Sequence, residues 1–343
     1  MEYTVIIPTH NRPDLVVRAI RSVYSQTCPP HDVIVIDDAS QPPLVLPADL
    51  ACTRVIRHER SVGGAAARNT GLREAATEIV AFLDDDDEWL PEKMEIQLGW
   101  LRDHPDASLV TCGHLRCEAG HEYLEVFTQE FVERYHQYDN FFGSFSYLVV
   151  RRSVPAAPPF ERERLRPLSP SVRFTSANEL PSPARFLLDP ALPALQDWDF
   201  ALRATRYSIF GVIEQPLVKY YAHDLPRITN KRGNHVRGLR RCYLNHRHYL
   251  SRDARRWLLG RVIFERSKTV ASTPKRLARV AHSIFLAAGC RVPLTMKLRT
   301  IGRRAASLGI SPRAVIALRS AGIAFWQSLC SRLHLSRRSS LPA

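Results

Sequence analysis

Several large classes are excluded by what the chain lacks. No uninterrupted apolar run reaches the roughly 18 residues that a membrane-spanning helix needs, and Met1-Glu2-Tyr3-Thr4 does not open a basic-then-apolar leader, so no signal peptide is expected. The seven cysteines are odd in number and scattered, with no C-x-x-C pair, which argues against a disulfide or zinc framework and for reduced thiols in a cytosolic protein. Neither the G-K-[ST] of a Walker phosphate loop nor the dinucleotide G-x-G-x-x-G occurs. No nucleic-acid module or aromatic-basic platform is visible, so no specific nucleic-acid partner is expected.

What is present is ordinary in bulk and uneven in distribution. The 343 residues are 45% apolar and 24% charged, enough for a full core and one large domain with an appendage, or for two domains. Of the 48 Lys and Arg, 22 lie in residues 240–343 against only Asp253 and Glu265, leaving 26 basic and 32 acidic residues in front. An acidic front on a basic back suggests two jobs, the back meeting a polyanion or an anionic membrane surface.

The first hundred residues alternate strand and helix patterns. Residues 3–7 form a β-branched run closed by Pro8, and residues 14–25 place Leu15, Val16, Ala19, Ile20 and Val23 at helical spacing. Between them lies a polar loop, Pro8-Thr9-His10-Asn11-Arg12-Pro13. A second buried strand over residues 32–36 stops at Asp37-Asp38-Ala39-Ser40, where a carboxylate can take ribose or base hydrogen bonds or simply cap a turn. A third strand over residues 53–57 leads to Gly63-Gly64 and a small-residue helix carrying Arg68. The two glycines permit close backbone approach and the guanidinium can reach a nucleotide; equally, the small residues let the helix pack tightly on a sheet.

A fourth apolar run, residues 78–83, ends abruptly in Asp84-Asp85-Asp86-Asp87-Glu88. Alone, this acidic run is as compatible with a helix N-terminus as with a site. Its delivery to the carboxyl edge of a sheet favours a site, because open α/β folds bind ligands there. An oxygen-rich, thiol-free cluster suits Mg²⁺ or Mn²⁺, ions usually held by one or two carboxylates plus substrate phosphates.

Four motifs, V-x-I-P-T-H-N-R at residues 5–12, V-I-V-I-D-D-A-S at 33–40, G-G-A-A-A-R-N-T-G at 63–71 and F-L-D-D-D-D-E-W-L-P at 82–91, resemble the family 2 glycosyltransferases in kind and order. The resemblance implies an α/β fold of the GT-A type: a Rossmann-like, mixed and mostly parallel sheet flanked by helices. It covers residues 1–115 strongly and 140–230 moderately. It implies a nucleoside-diphosphate sugar donor, a UDP-sugar foremost, and a saccharide or lipid-linked acceptor in cell-surface polysaccharide, lipopolysaccharide or glycolipid synthesis. By the same resemblance Pro8, Thr9, Asn11, Arg12, Asp38, Gly64, Arg68, Asp84 and Asp85 bind the nucleotide, and Asp84 and Asp86 form the D-x-D pair at a divalent metal, with His223 as a further ligand.

The middle of the chain is less regular. The aromatics Phe141, Phe142, Phe145 and Tyr147 favour a core over a sugar-stacking platform. Residues 155–193 lose periodicity and are expected to form an insertion or flexible loop. Order resumes at Leu195-Gln196-Asp197-Trp198-Asp199, a helix start. Asp199 there is read as complementing the helix dipole, while Asp197 is, by the family resemblance, the catalytic base. Residues 1–235 would then be the catalytic domain and 236–343 a basic helical region. Basic helices with Trp257 and Phe264 suggest a peripheral site on the cytoplasmic face of a membrane; a helical appendage with solvated arginines is the plainer reading. The alternative to an inverting, metal-dependent transferase is a catalytically degenerate scaffold of the same fold that binds nucleotide or membrane.

Overall fold

The computed structural model describes residues 1–153, 186–205, 208–222, 233–268 and 273–293, with Met296 and Thr300 besides. The chain divides into two compact units, Met1–Tyr249 and Leu250–Ala343.

The first unit is built on a nine-stranded mixed sheet. Its opening half follows the alternation expected from the sequence: β1 (Tyr3–Thr9), α1 (Pro13–Tyr24), β2 (Asp32–Asp37), β3 (Arg54–Arg57), α2 (Gly64–Glu74) and β4 (Ile79–Phe82). After these come β5 (Glu88–Trp89), α3 (Lys93–Asp103), β6 (Ala107–Glu118), β7 (His121–Glu125), α4 (Gln129–Tyr135) and β8 (Val149–Arg151). The unit continues through α5 (Gln196–Thr205), β9 (Ile209–Tyr221) and α6 (Asn234–His246). The strands lie in the order β3-β2-β1-β4-β8-β6-β9-β5, with β7 paired to β6. The block β3-β2-β1-β4 is parallel throughout, as is β6 with β9; the pairings of β4 with β8, β6 with β8, β6 with β7 and β5 with β9 are antiparallel.

In β1, β2 and β4 the continuous apolar runs follow from coverage on both sheet faces, whereas the edge strand β3 is largely exposed. Val5, Ile7, Val33 and Val35 pack against Val16, Ala19, Ile20 and Val23 of α1 and Met94, Leu98 and Leu101 of α3. On the opposite face Ile6, Ile34, Val80 and Phe82 pack against Ala65, Ala67 and Leu72 of α2 and Phe200 and Ala201 of α5. The small residues of α2 let it approach β1 closely: a Cβ on Gly71 would sit 2.5 Å from Ile6 Cγ2. Phe82 meets Phe145 and Phe200 edge-on, with ring centroids 5.3 and 5.7 Å away. Phe142, Phe145 and Tyr147 are therefore core, while Phe141 is partly exposed. α1 starts with Pro at its first position, where the missing N–H is harmless, and carries Asp14 in its first turn and Arg21 in its last, matching the helix dipole.

Of the expected insertion over residues 155–193, residues 155–185 lie outside the described residues; from Phe186 onward the chain is described and buries Phe186, Leu188 and Leu192. In the second unit α7 (Arg252–Ser267) and α8 (Thr273–Ala288) pack on one another. The Ser251 hydroxyl caps α7 by accepting from the Ala254 amide. Trp257, Leu258, Val262 and Phe264 are buried, so these apolar side chains are not available to a membrane surface as the sequence suggests. No helix among the described residues is long and apolar enough to cross a membrane.

Candidate active site

β1, β2 and β4 end at one edge of the sheet, and their loops are tied together there. β1 ends at Thr9 after Pro8, which lies opposite Ile36 of β2. Thr9 is buried and donates its hydroxyl to Asp85 Oδ2 at 2.8 Å. Arg12 spans two carboxylates, its Nη1 lying 2.9 Å from Asp85 Oδ1 and 3.0 Å from Asp86 Oδ2. Asn11, with a left-handed φ of 56°, ties the first loop to the second: its amide donates to Ser40 Oγ and its side-chain oxygen accepts from the Gln41 amide.

The acidic run is sorted by the turn that follows β4, closed by the Asp87 amide donating to the Asp84 carbonyl at 3.2 Å. Asp84 and Asp86 remain partly exposed, whereas Asp85 and Asp87 turn inward and are buried. Arg68, almost fully buried on α2, pairs with Asp84 and stacks over the Phe145 ring at 4.1 Å. Burial pushes the Asp85 carboxyl up to about 6, with Arg12 opposing and Asp86 adding to the rise. Burial raises Asp87 well above the usual carboxylate range too, as do the charges of Asp84 and Asp86. Ser146 Oγ donates to Asp87 Oδ2 at 2.6 Å and accepts from the Asp84 amide at 3.0 Å, so one buried hydroxyl fixes both ends of the run. That serine is in turn held by its neighbours: Trp89 Nε1 donates to its carbonyl at 2.9 Å and Gln97 Nε2 to the next carbonyl, Tyr147, at 3.0 Å.

Asp38 organises the loop that enters α2. Its two oxygens accept from His58, Ser61 and the amides of Val62 and Gly63, at 2.7 to 2.9 Å. Burial alone would raise this carboxyl, but these hydrogen bonds outweigh it and hold it below its ordinary value. Gly63 has φ 88°, a conformation that favours glycine, and from there Gly64 begins the helix.

Asp197 lies in the first turn of α5 and is brought to the same place. The charges of Asp84 and Arg68 both reach it, and burial, assisted by Asp84 and opposed by Arg68 and the Trp198 amide, pushes its carboxyl up to about 6. Leu195, just before the helix, has φ 63°, unusual for a residue with a side chain. Its carbonyl accepts from the Asp199 amide at 3.0 Å. Asp199 itself is buried between Arg203 Nε at 3.0 Å and His246 Nε2 at 2.9 Å. Burial opposes its charge, yet Arg203 and His246 hold it well below the usual carboxylate range. The dipole role expected of Asp199 is thus joined by a buried ion-pair role that makes it a clamp between α5 and α6.

The donor set fits a hard divalent ion in kind: Asp84 and Asp86 offer partly exposed oxygens at the mouth, and one or two carboxylates are what Mg²⁺ or Mn²⁺ takes when phosphates complete the shell. No cluster of three His, Cys, Asp or Glu among the described residues is posed to hold a metal by itself. His223 lies outside the described residues. The structure brings the other sequence-derived candidates to the sheet edge and α5. Sequence reasoning missed Ser146, His58 and Arg18, the last of which pairs with Glu88 at 2.8 Å and donates to the Asp86 carbonyl at 2.7 Å. A lone Ser or His carries no pattern in sequence; only the signal of acids needing buried partners could have prompted a search for them.

Comparison with known proteins agrees with this architecture. The model of the family described as Glycosyl transferase family 2 matches residues 4–154. A UDP-Glc:alpha-D-GlcNAc-diphosphoundecaprenol beta-1,3-glucosyltransferase of Escherichia coli is 33% identical over 101 residues, 29% of this chain and 40% of that one. An amylovoran biosynthesis glycosyltransferase of Erwinia amylovora is 24% identical over 233 residues, 64% of this chain and 70% of that one. An uncharacterized glycosyltransferase of Rickettsia conorii is 36% identical over 125 residues, 36% of this chain but only 20% of that one. Several curated relatives are thus matched over less than half of their length. Among solved structures, S. aureus TarS 1-349 in complex with UDP-GlcNAc aligns with a TM-score of 0.55 at 14% identity over 84% of both chains, a likeness of fold. Residues 4–154 thus carry a glycosyl transferase family 2 domain, and the fold is the mixed α/β fold of the GT-A type.

Proposed function

We propose that the protein transfers a sugar from a nucleoside diphosphate, UDP foremost, to an acceptor hydroxyl with inversion at the anomeric carbon, in bacterial polysaccharide or glycolipid synthesis. The observation that carries this reading is Asp197: a half-buried carboxyl pushed up to about 6, within electrostatic reach of Asp84 and Arg68. A base whose pKa lies near the working pH is ionised and still basic enough to take the acceptor's proton as the new bond forms. Attack from the Asp197 side, opposite the departing diphosphate, gives inversion.

The remaining residues position the donor. Thr9, Asn11, Arg12 and the Asp38 loop line the nucleotide end, with Pro8 shaping the first loop and Gly64 presenting the start of α2. Arg68 pairs with Asp84 and its charge reaches Asp197, so it is the cation offered to the diphosphate. Asp84 and Asp86 would hold a divalent ion, which supplies charge neutralisation of the leaving diphosphate. Asp85 keeps Arg12 and Thr9 in place. Support comes also from relatives whose names specify UDP-glucose transfer and from a structural neighbour solved with UDP-GlcNAc. Membrane attachment, where it occurs, falls to the arginines of the basic tail, since Trp257 and Phe264 are buried.

The test is a screen of nucleotide sugars with Mn²⁺ by thermal shift, followed by donor hydrolysis without acceptor. A UDP-sugar that raises the melting temperature and is slowly hydrolysed only with metal supports a transferase. Binding without any turnover, with or without acceptor, would leave the degenerate scaffold standing instead.

A further inference from the structure

An open cleft of about 470 Å³ lies beside the donor site, between the β3–α2 loop and the outer face of α2. Its cationic lining is dense: Arg57, His58, Arg60 and Arg73, against the single acid Glu59. Two of these cations are already engaged, Arg57 with Asp37 and the Ser40 carbonyl, and His58 between Asp38 and the Thr70 hydroxyl at 3.0 Å. Arg60 and Arg73 are exposed and make no ion pair among the described residues. Four cationic or potentially cationic groups around one cavity, two of them uncompensated, leave it with a net positive field.

The cleft is not the donor pocket seen from another side. At about 100° per residue, Ala66 and Thr70 lie roughly 160° and Arg73 about 140° round α2 from Arg68, whose guanidinium faces Asp84. His58 forms the wall between the two sites, one ring nitrogen on Asp38 and the other toward the cleft's Thr70. The cavity is of a size that takes a small ligand. Guanidinium forks suit tetrahedral oxyanions, and Val62, Ala66 and Pro190 add apolar wall for an organic body.

We propose that this cleft is a second anion site, which binds a phosphate or diphosphate group through Arg60 and Arg73, with His58 and Arg57 behind them. The proposal does not depend on the transferase reading, because Arg60 and Arg73, which carry it, lie outside the donor site.

Calorimetric titration of the full chain with inorganic pyrophosphate, in EDTA and low salt, tests it. Binding should weaken at least tenfold in Arg60→Ala/Arg73→Ala, whose exposed side chains can be removed without disturbing the core, and the circular dichroism spectrum should be unchanged. Saturating UDP should leave the pyrophosphate isotherm in place. Phenyl phosphate and inorganic phosphate form the second arm: tighter binding of the ester assigns the apolar wall to an ester-borne phosphate, and equal binding assigns the site to the free anion, both within the proposal. Unaltered pyrophosphate affinity in the double variant overturns it, as does full displacement by UDP, which would make the anion a tenant of the donor site. Those results leave the sugar-transfer test untouched, so failure of one reading is distinguishable from failure of the other.

Discussion

The two acidic neighbourhoods of this protein solve the same problem in opposite ways. Along the run after β4, four aspartates and a glutamate are set against Arg12, Arg18, Arg68 and a serine hydroxyl, and the inward pair, Asp85 and Asp87, is pushed toward the protonated form. At the start of α5, two aspartates one residue apart are driven in opposite directions: Asp197 up to about 6, Asp199 well below the usual range. The difference lies in partners. Asp199 has a guanidinium and an imidazole within 3.0 Å; Asp197 has backbone amides, the like charge of Asp84 and only the more distant field of Arg68, which pairs with Asp84. A carboxylate held directly by cations keeps its charge, and one without such close partners keeps the raised pKa that the proposed base requires.

Breaking the structural member should have the largest effect on stability. Asp199→Ala leaves the buried His246 and the half-buried Arg203 without this carboxylate and is expected to cost about 3–5 kcal/mol by urea denaturation. A cost under 1 kcal/mol would mean that the clamp between α5 and α6 is not a stabilising one. The pair also sets an acid limit: because the Asp199 carboxyl is depressed, its stabilisation is complete at neutral pH and is lost as pH falls through and below the ordinary carboxylate range.

Ser146→Ala comes next. It strips the Asp87 carboxyl and the Asp84 amide of one shared partner, and about 1–3 kcal/mol should be lost. Nucleotide affinity measured with Mn²⁺ should fall as well, because Asp84 is no longer held. Loss of stability with affinity unchanged would separate the inward acids from the outward pair.

Asp197→Asn should be mildly stabilising at neutral pH. A carboxyl whose folded value is raised binds its proton more tightly in the folded state, so ionising it opposes folding. The penalty is absent below the ordinary carboxylate value, grows as pH rises toward about 6 and is constant above. Removing it should yield about 1–2 kcal/mol at pH 7.5 and nothing near pH 3.5, read from melts across that range. The smallest change belongs to Arg18→Ala: its pair with Glu88 is partly exposed on both sides, and the loss should stay within about 1 kcal/mol.

The legible part of the molecule is the part written in continuous local patterns. β1, β2, β4 and α1 are visible as apolar runs and helical spacing because doubly covered parallel strands need uninterrupted apolar residues; β3, an exposed edge strand, and the small-residue α2 show by their place in the alternation. Thr9, Arg12 and Asp38 near the strand ends, and Arg68 on α2, follow from the family resemblance together with the strand-and-helix alternation. The mixed half is harder to read. β6 and β9 are long and irregular, with register shifts where the pairing slips, and β8 is only three residues long. Asp199 shows why composition near a helix start is insufficient: the dipole reading is sound physics, but His246, 47 residues on, cannot be foreseen from it. The same holds for Ser146, which meets Asp87 across 59 residues of chain. In the tail, Trp257 and Phe264 looked like membrane contacts because a basic amphipathic helix is the same in sequence whether its apolar face meets lipid or protein.

The division of labour between the two aspartates of α5 is tested most directly by turnover of Asp197→Asn beside its affinity for UDP and Mn²⁺. The account predicts that sugar transfer falls by about a hundred- to ten-thousand-fold, while the dissociation constant for UDP changes less than about threefold. It also predicts that the wild-type rate falls as pH drops below about 6, the value at which the Asp197 carboxyl gains its proton. An Asp197→Asn enzyme that keeps most of its turnover, with the same acid limb, would contradict it.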